Sequence, residues 1–250
     1  MMTDRQIAAY ALGLGDDALV LAQRLSEWVT HAPELEEEVA LANIALDLLG
    51  QARTLLSYAG SFDGRTEDDL AFLRSEREFR HLQIVERPNG DFAATIARQL
   101  LFSAYQYELY EALCASADET LAGVAGKAVK EVAYHRDHAT QWTLRLGDGT
   151  AESHTRMQAG LVAMWPYAAE MFAPDAAAEA LAGSGVAVDP AGLGAGWNAF
   201  VLPVLAEATL AVPDVRPVRG GGRAGIHTDP FGPLLAEMAH LHLSHPGASW

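Results

Sequence analysis

The segment 34–58, ELEEEVALANIALDLLGQARTLLSY, constrains this chain more than any other. Val39, Ala42, Leu46 and Leu49 recur on one helical face, while Leu41, Ile44, Ala45, Leu48, Ala52 and Leu55 cover most of the remainder. A helix apolar nearly all round in its middle needs neighbours on several sides, so the segment predicts the central helix of an all-α bundle. Three polar residues interrupt it: Asn43, Asp47 and Gln51 fall at i, i+4 and i+8, which stacks them into one stripe. Such a stripe requires partners, because buried polar groups are rarely left unpaired.

The flanking segments supply the other helices. Over 16–29, Ala18, Leu21, Ala22, Leu25, Trp28 and Val29 repeat at steps of three and four, and His31-Ala32-Pro33 ends the pattern. Asp91 suits the N-cap of a third helix reaching about 114, with Phe92, Ile96, Leu100, Ser103 and Tyr107 on one side. Asp118 suits the cap of a fourth, 121–146, closed by Gly147, whose inner positions read Leu121, Val124, Ala125, Ala128, Val132, His135, Ala139 and Trp142. The polar, turn-rich stretch 60–91 is long enough to cross a bundle. The expected fold is therefore one all-α domain over 1–250, a four-helix bundle at about 14–147 with peripheral helices over 148–250. Those outer helices are expected at 151–172 with a kink at Pro166, at 176–182, at 191–210 with an interruption at Pro203, and at 231–243 before a frayed 245–250 tail.

Charge and cysteine content narrow the function classes. Seventeen Lys and Arg against 33 Asp and Glu give a net charge of −16, a field that opposes nucleic acid and anionic membranes alike. The single Cys114 has no partner for a disulfide, and the N-terminus lacks a basic stretch followed by an apolar one. The most apolar run, 39–49, is too short to cross a bilayer. The expectation is a cytoplasmic protein.

A four-helix bundle with a polar stripe invites a search for di-iron ligands, which such bundles draw from a Glu on each of two helices and a Glu-x-x-His on the other two. In the second helix Asp47 is followed by Gly50 where the histidine belongs, and in the fourth Glu131 is followed by Tyr134, with His135 one residue off register. Levelling the helices across their turns sets Asp17 beside Asp47 and Ser103 beside Glu131, and places Glu108 facing Lys127. The expectation is no bound metal. Instead Asp17, Asn43, Asp47, Gln51, Glu131 and His135 should form a buried polar network, helped by Lys127, Lys130 or Arg24. His135 and His138 lack a third ligand, and His227, His240, His242 and His245 are expected on solvated surfaces. The Gly220-Gly221-Gly222-Arg223 run has neither a preceding strand nor a following Gly-Lys-Ser/Thr, so it predicts a flexible or partner-ordered loop rather than a phosphate cradle.

Several runs carry a likeness. They include Leu25-Ser26-Glu27-Trp28, His31-Ala32-Pro33-Glu34-Leu35-Glu36, Ala40 through Arg53, Val85-Glu86-Arg87-Pro88-Asn89-Gly90-Asp91-Phe92, Lys127 through His135, and Gly225-Ile226-His227-Thr228 with Leu235-Ala236-Glu237-Met238. In these the chain resembles the C-subunit family of the bacterial ring 1,2-phenylacetyl-CoA epoxidases. The resemblance implies a ferritin-like fold and a structural, non-catalytic subunit in a monooxygenase complex of phenylacetate catabolism. It implies a heterodimer with a homologous catalytic A subunit that holds the di-iron centre, with further subunits and a separate reductase using NADPH. No cofactor is expected in this chain, and self-association is expected only when the partner is missing. Two other readings stand beside this one: an oxygenase subunit with its own di-iron or mononuclear iron, and a stand-alone ferritin-like scaffold. The outer faces of the first two helices, with Trp28, Ile44, Leu48 and Leu55, are expected to dock on the partner.

Overall fold

A computed structural model describes residues 2–248, apart from the side chain of Met2. It is all-α, with no strand among the described residues. The helices are α1 Met2–Ser26, α2 Leu35–Ser61, α3 Glu67–Phe72, α4 Gln83–Glu86, α5 Phe92–Leu113, α6 Glu119–Gly147, α7 Ala151–Met164, α8 Ala176–Ala180, α9 Gly194–Glu207 and α10 Phe231–Ser244. The bundle consists of two hairpins, α1 on α2 and α5 on α6, joined by the connection that carries α3 and α4.

Local chemistry accounts for the boundaries. Asp91 accepts the Ala94 N–H at 2.9 Å and Asp118 accepts the Leu121 N–H at 3.0 Å, so both expected caps form. Pro166 ends the α-helical part of the 151–172 segment at Met164 and passes it to a 3-10 stretch, Trp165–Phe172. Pro203, by contrast, is absorbed inside α9.

The largest departure is at the start. The expected 16–29 helix begins at Met2, because Gly13 and Gly15 weaken the helical signal locally while tertiary packing restores it. A Cβ at position 15 would sit 2.9 Å from Leu56 Cδ2, so glycine there is what lets α1 lie close on α2.

The core lies between the hairpins. Leu21, Leu25, Leu41, Ile44, Leu48, Leu55, Ile96, Leu100, Leu121 and Val132 are all buried within it. Burying a residue of this size contributes about 1.5–3 kcal/mol, which is why the inner face of α2 is fixed so firmly. Trp28 is also interior and donates from Nε1 to Thr95 Oγ1 at 3.1 Å. Trp28, Ile44, Leu48 and Leu55 are therefore core residues, not the docking face expected from the sequence. On α2 the exposed apolar residues are Leu35, Val39, Leu46 and Leu49, with Leu46 at 63% exposure, and Val29 after α1 is exposed too. Of these, Val29, Leu46 and Leu49 line a groove of about 450 Å³ together with Leu19, Phe72 and Met238.

Candidate functional site

The seam between α2 and α6 holds most of the polar stripe. The helices run antiparallel, and successive rungs join them: Glu37 to His138 Nε2 at 2.8 Å, Asp47 to His135 Nε2 at 3.0 Å, Gln51 Nε2 donating to Glu131 at 3.0 Å, and Tyr58 OH donating to Asp118 at 2.6 Å. Gln106 of α5 donates to Gln51 Oε1 at 3.3 Å, and Lys127 lies 3.5 Å from the other Glu131 oxygen. Four of the six expected residues thus lie on one seam as two separate pairs, Asp47 with His135 and Gln51 with Glu131. Beside them Gly50, Thr54, Gly123 and Lys127 border a cavity of about 290 Å³.

Two expected members are elsewhere. Asn43 is exposed, between the rungs made by Glu37 and Asp47. Asp17 is buried but accepts from Arg223 at 2.6 Å and from the Leu82 N–H at 2.8 Å, a partnership the hairpin levelling could not reveal. Of the expected helper cations only Lys127 takes part; Arg24 donates to Glu27 and to the Glu86 carbonyl. Glu108 lies by Arg136 at 4.0 Å rather than by Lys127.

These contacts decide what the seam can hold. A di-iron centre needs carboxylates and imidazoles converging on two ions. Here Gly50 has no donor, Tyr134 is half exposed, and the nearest imidazole, His135, already faces Asp47. Asp17 belongs to another ion pair, and Ser103, buried with its Oγ unpaired, is a poor substitute for a carboxylate. The donor set does not fit two irons.

Burial pushes the pKa of His135 down, against the opposing pull of Asp47. The fold therefore favours the neutral ring, whereas an unfolded histidine titrates near its ordinary value of about 6.5. The stability this provides is present above about pH 6.5 and is lost as pH falls, because unfolding then takes up a proton. Urea midpoints measured from neutral to mildly acidic pH should fall more steeply for the native chain than for His135→Gln; equal slopes would refute this assignment.

A second polar centre lies where the connection meets the segment before α10. The glycine run is held by hydrogen bonds within the chain. Gly221 and Gly222 both donate from their backbone to Glu170 Oε1 at 2.7 Å, and the Gln83 N–H donates to Glu170 Oε2 at 2.8 Å, so the loop cradles an internal carboxylate. Next to it, Glu86 accepts from His81 Nε2 at 2.6 Å and from the Thr228 N–H at 2.6 Å, and lies 3.0 Å from His227 Nδ1. The His227 side chain is thus interior, contrary to the expected solvated surface. His81 and Glu86 are residues that sequence reasoning missed, since the aperiodic connection offers no pattern to flag them. His242 stacks on Phe72 with ring centroids 4.9 Å apart.

Comparison with known proteins places this architecture. The family described as phenylacetic acid catabolic protein matches residues 1–250. The chain is 50% identical over 246 residues to the C subunit of the 1,2-phenylacetyl-CoA epoxidase of Escherichia coli (strain K12), covering 98% of this chain and 99% of that one. By both measures, and in keeping with its all-helical bundle, the chain belongs to the phenylacetic acid catabolic protein family.

Proposed function

We propose that this chain is a non-catalytic subunit of a cytoplasmic, multicomponent phenylacetyl-CoA epoxidase, and that it supports a homologous catalytic subunit which carries the di-iron centre. Electrons from NADPH reach that subunit through a separate reductase. The observation that carries the reading is the α2–α6 seam, where Gly50 and Tyr134 occupy ligand positions and the acids Asp47 and Glu131 are engaged by His135, Gln51 and Lys127. A relative named as the C subunit of such an enzyme supports the same assignment.

The physical task left to such a subunit is to hold its partner rigid. Ligand helices must keep to about half an ångström for a metal site to work, and a mate that buries a broad apolar face supplies that constraint. The groove with Leu46, Leu49, Phe72 and Met238, extended by the exposed Val39, offers that face, and obligate pairs usually bury more than about 2,000 Å². Helix α2 is long and apolar enough by composition to cross a membrane, but its inner half is packed in the bundle and its seam carries Asp47 and Gln51. A protein partner suits its outer half better than lipid.

Co-expression with the homologous subunit tests this. Leu46→Asp should abolish co-purification while changing the stability of the isolated chain by no more than about 0.5 kcal/mol, the usual range for surface changes. Leu48→Asp, which buries a charge in the core, should unfold the chain outright. A Leu46→Asp chain that still co-purifies in full would remove the groove from the interface.

A further inference from the structure

We propose that His81, Glu86 and His227 form a binding site for one first-row divalent metal ion of the zinc class, tying the segment before α10 to the connection. The three donors come from separate stretches of chain, and their ligand atoms all lie within 4.8 Å of one another. The side chains of His81 and Glu86 are 0% exposed and that of His227 3%. Two imidazoles and one carboxylate are a donor set that suits zinc, iron or cobalt, and it stands apart from the α2–α6 seam.

The polar contacts around the cluster favour a cation inside it. His227 Nε2 lies 3.2 Å from the Phe79 carbonyl oxygen, which can only accept, so the ring proton belongs on Nε2. Its Nδ1 lies 3.0 Å from a Glu86 oxygen, and a divalent cation bound beside them would take that nitrogen and that oxygen as ligands. The remaining contacts do what outer partners of metal ligands do: the Phe79 carbonyl orients His227, and the Thr228 N–H at 2.6 Å holds the second Glu86 oxygen.

Binding demands two local adjustments. The imidazoles of His81 and His227 are stacked, with centroids 4.1 Å apart and planes at 18°, so an ion in the plane of both requires one ring to tilt. Both histidines lie outside the helices, so helical backbone hydrogen bonds fix neither ring. His81 now donates from Nε2 to Glu86, and its proton must move to Nδ1, a buried atom with no partner to lose.

The test uses the full chain, stripped with a chelator and titrated with Co²⁺ and then Zn²⁺. Visible cobalt absorption should saturate at one equivalent, Zn²⁺ should displace it, and the melting temperature should rise with Zn²⁺ concentration. His227→Asn should weaken binding by about a hundredfold or more, whereas His135→Gln should leave it unchanged. Should His227→Asn fail to fold, anomalous diffraction at the zinc edge on the native chain decides the matter, with the ion expected between His81, Glu86 and His227. Absence of saturable binding, an ion located at the α2–α6 seam or on surface histidines, or undiminished binding in folded His227→Asn would overturn the proposal.

Discussion

Asp17→Ala is expected to cost about 3–5 kcal/mol, the usual penalty for breaking a buried ion pair from one side. Arg223 reaches into the bundle to pair with Asp17 at 2.6 Å, and its Nη1 also donates to the Gly13 and Arg80 carbonyls at 2.6 and 2.7 Å. The Asp17 side chain is 4% exposed and that of Arg223 14%, so water cannot replace the lost carboxylate. The substitution leaves the Arg223 guanidinium with only the more distant Asp175 carboxylate, 3.8 Å from its Nε, and leaves the Leu82 N–H without its acceptor. A domain of ordinary stability, about 5–15 kcal/mol, loses a large fraction of it. Equilibrium urea unfolding measures the effect, and the double variant Asp17→Leu with Arg223→Met should recover part of the loss because no unpaired charge remains. A single-variant loss below about 1 kcal/mol would show that the pair is not structural.

The second large effect is expected at Gly222→Ala. A Cβ at that position would lie 2.0 Å from the His81 carbonyl oxygen and 3.2 Å from the Gln83 nitrogen, so backbone rather than a yielding side chain stands in its way. Relief requires the loop to lift, which breaks the hydrogen bonds of Gly221 and Gly222 to Glu170 and disturbs the neighbouring Arg223. Overpacking of this kind costs about 3 kcal/mol. Gly192→Ala is the control: its Cβ meets nothing within 4 Å, and its effect should stay within about 0.5 kcal/mol. Thermal melts of the two variants side by side would show a clear drop for the first alone; equal melting temperatures would mean that the loop does not hold the segment down.

What is legible in the sequence, and what is hidden there, follows from the range of the forces involved. Helix α2, the caps at Asp91 and Asp118, and the stop at Pro166 are set by residues within a few positions, and the periodic pattern displays them. The inside and outside of α2 are harder to tell apart, because both faces are apolar. Leu48 and Leu55 turn inward while Leu46 and Leu49 remain outside, a choice made by α1, α5 and α6 rather than by α2. The ligand pattern of a di-iron bundle groups Asp47 and Gln51 with Glu131 and His135, and the structure sets Asp47 against His135 and Gln51 against Glu131. Levelling across a turn fails for Asp17, since Arg223, a residue distant in sequence, competes for that carboxylate. The His81, Glu86 and His227 cluster lies in aperiodic chain and is invisible there as chemistry. Yet two of the runs that carry the family likeness, the one with Glu86 and the one with His227 and Thr228, touch in space through the 2.6 Å bond from the Thr228 N–H to Glu86.

The proposed non-catalytic role depends on the α2–α6 seam lacking the ligands for a pair of irons. Anaerobic loading of the isolated chain with Fe²⁺, followed by air and Mössbauer spectroscopy, examines it directly. The expected spectrum contains no antiferromagnetically coupled iron pair, for the native chain and for Glu131→Ala alike. A coupled pair in the native chain that disappears in Glu131→Ala would contradict this and return the oxidation chemistry to the α2–α6 seam.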